Sequence, residues 1–413
     1  MVCGAQLVHP DRCRARRRGP DPVRRALRRR LPRPGEAAGR AAGRDCRAGP
    51  DPDRQPRRVH RNGEPPVSGV LRLSLYAPWD GLGPLEDRVL HEASGARRVR
   101  PARPGSRVSR VPVSVRSTLK ACLEAGLVRS GVTALRRAAH VRHALVLSYH
   151  NVVPDDCAPF GDRSLHLPRS VFVRQVERLL STHAVVPLEQ LLAPAPPGRR
   201  PRVAITFDDG YRGAVCIGVP ELARRGVPAT LFVVPGFVGK GPFWWDAVAP
   251  GAGGVDPALR QRALVALRGR DPEVRRWAES QGLRLGAVPE WALVATEDEL
   301  RDATRHAGVT LGSHTWSHPN LDRASEPELR EELGRPLGWL RERFASVIPW
   351  LSYPYGLAGP TVEAAARAAG YAAALALGGA WFPPTGVNPW ALPRVNIPSG
   401  LSENGFAIRA SGL

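Results

Sequence analysis

Val203-Ala204-Ile205-Thr206-Phe207-Asp208-Asp209-Gly210 decides the fold class of this chain. Five residues suited to a buried strand are followed at once by two carboxylates and a glycine. A short apolar run ending abruptly in charge reads as a strand of a parallel sheet that delivers polar side chains at its C-terminal end. Upstream, Ala144-Leu145-Val146-Leu147-Ser148-Tyr149-His150 repeats the plan, with a polar loop from Asn151 to Asp156. Downstream come runs at 229–234, at 309–313 leading into His314-Thr315-Trp316-Ser317-His318, and at 348–352 leading into Tyr353-Pro354-Tyr355-Gly356. A short strand from Tyr371 and the run 392–396 close the series.

Helical patterns fill the intervals. Phe172, Val176, Leu179 and Leu180 recur at 0, 4, 7 and 8 on one face of a helix that starts near Pro168. A helix over 219–225 stops at Gly226, and another spans 297–306. Ser325 and Glu328 form a capping box ahead of Leu329, Leu333, Leu337, Leu340 and Phe344, in a helix that Pro336 is expected to kink. A further helix covers 361–369. Residues 240–300 break the rhythm with Phe243-Trp244-Trp245-Asp246 and two polar helical stretches near 257–268 and 272–281, which reads as an insertion over one face. Strands alternating with helices imply an α/β domain with a parallel sheet, open or closed into a barrel. Five polar residues stand at strand ends, namely His150, Asp208, Asp209, His314 and Tyr355, on the edge where parallel folds build their sites.

The chemistry of those residues is that of a divalent-metal site. Three ligands drawn from His and carboxylate leave a coordination position for water, and Asp209, His314 and His318 fit that count. Gly312 before and Pro319 after the histidines indicate a loop leaving a strand, not a long helix. Asp208, next to a ligand, is placed to accept a proton from the water.

In order along the chain, Thr206–Gly210, His314–His318 and Ser352–Gly356 resemble the first three motifs of the polysaccharide deacetylase family, the NodB-homology domain of carbohydrate esterase family 4. The likeness spans roughly residues 144–400. Tyr149-His150, the insertion at Phe243–Asp246 and Leu392-Pro393-Arg394 resemble a bacterial branch found in exopolysaccharide and cell-envelope pathways. The resemblance implies a distorted (β/α) barrel of about seven parallel strands. It also implies removal of N-acetyl groups from N-acetylhexosamine units of a glycan or glycolipid, with a divalent ion, zinc foremost and cobalt, nickel or manganese as options. Carried over by residue, Asp208 is the general base, Asp209, His314 and His318 hold the metal, and the Tyr355 backbone N–H faces the oxyanion. Ser352 stands where the family commonly has an arginine that orients the base, and Arg394 is the candidate substitute. No histidine follows His318 to serve as general acid, and His150 is the candidate, as in circularly permuted relatives. Trp245 and Tyr353 are candidates for stacking on sugar rings. Two readings stay open beside this one: deacylation of another amide or of an O-acetyl ester on the same fold, and a catalytically impaired glycan-binding relative.

Composition separates the chain into two parts. The net charge of +22 is concentrated in residues 1–110, whose 26 Arg and 11 Asp and Glu give 26 − 11 = +15. Leu, Val, Ile and Phe number 18 in that segment, too few for a packed core at such charge. Residues 1–115 therefore read as a disordered tail or as translated upstream sequence from a GC-rich genome, and 116–413 as the deacetylase-type domain with its insertion near 240–300. Arginines without interleaved aromatic residues do not support a nucleic-acid-binding arm. Six scattered cysteines without a CxxC pair exclude a disulfide scaffold and a zinc ribbon. Lacking an apolar run of transmembrane length or a secretory core, the chain is expected to be cytoplasmic, and its oligomeric state is open.

Overall fold

Parallel strands follow one another around a closed ring in the order in which the chain makes them. In the computed structural model, which describes residues 113–158, 160–194, 198–249 and 254–413, ten strands occur among the described residues. These are β1 (Ala144–Tyr149), β2 (Asn151–Val153), β3 (His166–Pro168), β4 (Ala184–Val185), β5 (Arg202–Phe207), β6 (Ala229–Val233), β7 (Val309–Ser313), β8 (Val347–Ser352), β9 (Ala373–Leu377) and β10 (Leu392–Asn396). Starting from β1, the ring runs β5, β6, β7, β8, β9, β10 and back to β1, every pairing parallel. Seven strands thus close the (β/α) barrel implied by the resemblance. β4 adds a short outer pairing to the start of β5, and β2 with β3 makes a separate two-stranded ribbon. The expectations for the Arg-rich segment fall on residues 1–112, outside the described residues, and the helix Val113–Arg129 runs across the boundary expected at 115.

Alternation along each strand sorts side chains between two layers. Leu145, Leu147 and Tyr149 pack outward with Val203, Ile205 and Phe207 and with Phe172, Val176 and Leu179 of the helix Arg169–Thr182. Ala144, Val146, Ala204, Phe232, Trp350, Leu375 and Leu392 belong to a second cluster that fills the barrel's interior. Continuing the inward parity toward the strands' C-terminal ends gives Ser148 on β1 and His150 just after it, Asp208 after β5, His314 after β7, Ser352 on β8, and Arg394 and Asn396 on β10. The interior changes from apolar to polar along its axis, and the polar end is the mouth.

The helices lie close to the positions that periodicity gave them. The helix Glu326–Arg343 opens with the Ser325–Glu328 capping box, both hydrogen bonds being present. Pro336 does not interrupt it. The carbonyl of Glu332, which loses its intrahelical donor to that proline, accepts the N–H of Trp316 instead at 3.1 Å. Between β6 and β7 the insertion supplies the helices Trp244–Ala247, Pro257–Val265 and Asp271–Ser280. It is tied to the mouth where Asn320 donates from Nδ2 to Leu264 O at 3.1 Å and from its backbone N–H to Arg268 O at 2.8 Å. No helix among the described residues is long and apolar enough to cross a membrane.

Candidate metal centre and catalytic pocket

Adjacent residues leaving a strand normally point to opposite sides, yet both aspartates of the Asp208-Asp209 pair reach the mouth. The backbone supplies the reason: Asp209 has φ 70, a left-handed conformation that swings the second carboxylate back toward the first. The same device recurs at Thr315 (φ 64), His318 (φ 61) and Tyr355 (φ 58), so four of the five positive-φ non-glycine residues among the described residues belong to this site. Each such residue costs on the order of 1–3 kcal/mol, and strain of this kind persists where the surroundings over-determine it.

Asp209, His314 and His318 are all buried and form the one group among the described residues whose ligand atoms lie close enough to share an ion. Their mutual distances are 3.4 Å from Asp209 Oδ1 to His314 Nε2, 3.3 Å to His318 Nε2, and 3.2 Å between the two Nε2 atoms. Bonds of about 2.0–2.1 Å in a tetrahedral arrangement separate neighbouring ligand atoms by about 3.3–3.4 Å, so the triangle fits three vertices of such a site. The donor set is also prepared electrically. His314 donates from Nδ1 to the Ser352 carbonyl at 2.7 Å, which leaves its Nε2 lone pair aimed inward. Burial first, then the neighbouring His314, holds His318 down to about 3, so its ring is neutral. Burial pushes the Asp209 carboxyl up to about 6, with Asp208 and Asp246 adding to the rise against the pull of His318 and His150.

That other aspartate is held differently. Asp208 Oδ1 accepts from Arg394 Nη1 at 2.8 Å, and both side chains are almost fully buried. Its Oδ2 accepts from Ser352 Oγ at 3.2 Å and from Ser148 Oγ at 3.4 Å. Burial raises the carboxyl, but Arg394 and the nearby imidazoles outweigh it and hold Asp208 well below the usual carboxylate range. Arg394 thus stands in contact with Asp208, and Ser352 contributes a hydroxyl to the same carboxylate.

The remaining expectations divide. His150 lines the same cavity, half-buried, with burial lowering its pKa and Asp209 and Asp208 pulling it back up. The Tyr355 ring packs edge-on to His318 with centroids 4.7 Å apart. Trp245 also lines the cavity, its ring 5.0 Å from His318 and its Nε1 donating to Tyr211 Oη at 2.7 Å, so it is a fixed wall. Tyr353 does not belong there. It is fully buried in an outer cluster with Leu321, Leu333 and Leu351, its hydroxyl donating to Trp390 O at 2.9 Å, and it offers no face to a sugar. Parity explains the correction: Ser352 points into the barrel, so the next residue points out.

Three features escaped the sequence reading. Asp246, fully buried, accepts from Tyr211 Oη at 2.6 Å and lies 3.0 Å from His166 Nε2, bracing the wall that Trp245 forms. Asp162 and Arg260 pair directly on the cavity lining. Glu332 bonds the loop between the two histidines. A Trp-Asp dipeptide and isolated charges carry no spacing signal for such contacts.

Fold and site together define a class, the closed parallel (β/α) barrels with a His₂Asp cluster and a second, separately paired carboxylate at the mouth. Residues 195–374 match the family model described as polysaccharide deacetylase. Over those residues the chain is similar to the polysaccharide deacetylases, a likeness that supports a hydrolase acting on carbohydrate acetyl groups. The match contains Asp208, Asp209, His314, His318 and Tyr355, whereas His150 and Arg394 lie outside it and join the site through β1 and β10. Among solved structures, a polysaccharide deacetylase from Bacillus cereus is 16% identical, aligned over 65% of this chain and 69% of its own, with a TM-score of 0.47. A deacetylase from Streptococcus pyogenes, solved with acetate, is 16% identical over 66% of this chain and 99% of its own, with a TM-score of 0.45. IcaB from Ammonifex degensii is 18% identical over 66% and 98%, with a TM-score of 0.44. No curated protein matches the chain.

Proposed function

We propose that this protein removes N-acetyl groups from N-acetylhexosamine units of a glycan or a glycan precursor. A divalent ion, zinc foremost, is held by Asp209, His314 and His318. The observation that carries the reading is the triangle of ligand atoms 3.2–3.4 Å apart beside a carboxylate with its own arginine. When bound, the ion supplies a Lewis acid that polarises the acetyl carbonyl and lowers the pKa of water.

The protein's own groups do the rest. Asp208, ionised throughout the physiological range, accepts the proton of the attacking water. Its low proton affinity then makes handing that proton on favourable. Ser148, Ser352 and Arg394 fix the carboxylate's orientation. The Tyr355 backbone N–H, turned by its positive φ, serves the developing oxyanion. His150 takes up the proton that Asp208 hands on and donates it to the departing nitrogen, the two aspartates beside it favouring its charged form. Asp162, Arg260 and Trp245 line the same cavity as the ligand atoms, and the hexosamine that bears the acetyl group sits against them. An amide in place of an ester is the reading favoured by the presence of a histidine positioned to protonate a poor leaving group.

The test is acetate release from N-acetylglucosamine oligomers by the full chain loaded with zinc or cobalt, beside Asp208→Asn and a chelator-treated sample. Ion-dependent release lost in the variant is the expected result. Equal release with and without the chelator overturns the proposal.

A further inference from the structure

The loop between the two histidine ligands, Thr315-Trp316-Ser317, is strained at both ends, with Thr315 at φ 64 and His318 at φ 61. Something outside the loop must hold it there. The helix Glu326–Arg343 lies along its outer side, and one residue of that helix makes nearly all the contacts. Glu332 Oε2 accepts the backbone N–H groups of Trp316 at 3.0 Å and Ser317 at 2.8 Å, Oε1 accepts the Ser317 hydroxyl at 2.6 Å, and the Glu332 carbonyl accepts Trp316 N–H at 3.1 Å. The last bond is open because Pro336 has no N–H to claim that carbonyl. Arg335 stacks its guanidinium over the Trp316 ring at 3.7 Å from the centroid. From the opposite side, Gly236 N–H donates to Trp316 O at 2.9 Å. Within the loop, His318 N–H donates to Thr315 Oγ1 at 3.1 Å.

We infer that Glu332 is a positioning residue for the metal centre. It touches neither ligand ring, but it fixes the loop geometry that brings His314 Nε2 and His318 Nε2 to 3.2 Å of each other. Charge-assisted bonds to two consecutive amides suit this task, since a carboxylate can satisfy both at once and a neutral group does so more weakly. Without the clamp, Thr315 and His318 relax toward ordinary backbone, the two imidazoles separate, and the ion loses one ligand's geometry. The inference rests on the metal reading proposed above.

The experiment is a cobalt(II) titration of the full chain, read by the visible absorption of the bound ion, with affinity measured by competition against a chelator. Wild type, Glu332→Gln, Glu332→Ala and the control Glu331→Ala are compared, and the melting temperature of each ion-free form is recorded. Loss of the clamp is expected to weaken cobalt affinity on the order of tenfold or more in Glu332→Ala, with Glu332→Gln intermediate and Glu331→Ala unchanged. The cobalt absorption band should shift in the Glu332 variants, which a purely structural role would leave in place. If Glu332→Ala fails to fold, the isosteric Gln variant decides. Affinity within twofold of wild type and an unshifted band in Glu332→Gln then overturn the inference. A wild-type chain that binds no cobalt overturns the metal reading itself, a result distinguishable from equal binding by all four proteins.

Discussion

Arg394 and Asp208 form a buried ion pair, and removing one side of it gives the sharpest prediction. Arg394 is 1% exposed and Asp208 3%, with Nη1 and Oδ1 2.8 Å apart. Charge centres about 4 Å apart at an effective dielectric of about 20 interact by about 4 kcal/mol. Breaking a buried pair from one side costs about 3–5 kcal/mol, because the other charge is left without compensation, and the two routes agree. Arg394→Met should therefore lower the urea midpoint by more than about 1 M, taking a slope near 3 kcal/mol/M. Asp208→Asn alone should cost a comparable amount, since it strands the guanidinium. The double variant removes both charges and should be more stable than the sum of the single losses by about 4 kcal/mol. Acetate release should fall about 10²-fold in Arg394→Met, in which the base is still present but no longer held. Strictly additive destabilisation in the cycle, or an Arg394→Met enzyme with wild-type turnover, would refute the reasoning.

Three more predictions follow from separate contacts. Ser352→Ala removes a hydroxyl donor from an ionised Asp208, which should cost about 1.5–3 kcal/mol of stabilisation at that oxygen and lower kcat/KM about tenfold or more, with bound metal unchanged by elemental analysis. Gly236→Ala would place a Cβ 2.4 Å from the Trp316 carbonyl oxygen, so the histidine loop must move; a loss of about 1–3 kcal/mol in unfolding free energy and weaker cobalt binding are expected together. His183, far from the mouth, is held down to about 4 by burial and by Arg137, from an ordinary value of 6.5. The unfolded chain therefore binds a proton that the folded one refuses between those values. The stabilisation is full above about pH 6.5 and lost as pH falls to about 4, by about 3 kcal/mol at 1.36 kcal/mol per unit, so the gap between wild type and His183→Gln in urea melts should narrow by that amount over this window.

The barrel was legible because its strands are buried on both faces and announce themselves as unbroken apolar runs such as 144–149 and 203–207. The grouping of Asp209, His314 and His318 was legible because these residues stand at strand ends, where parallel order puts them on one rim. Ring closure followed from the resemblance and not from the residue pattern, since the pairing of β1 with both β5 and β10 joins segments some 60 and 250 residues apart. Tyr353 was misplaced for a reason the sequence did contain, the two-residue period that sends it away from Ser352. Glu332 was hidden by its own setting: on a helical wheel it is an ordinary half-buried glutamate, and its partners are loop amides, which carry no residue-type signature.

The order of strands around the ring has a consequence for synthesis. Because β1 pairs with the second strand of the ring and also with the last, the cylinder has a permanent gap until residues 392–396 have left the ribosome. Throughout that interval Asp208 has no arginine beside it. The nascent chain therefore carries Asp209, His314 and His318 long before the ring around them closes. The partner of Asp208 arrives with β10, and a chain cut short anywhere before Leu392 is left with a seam and an uncompensated charge in the same place.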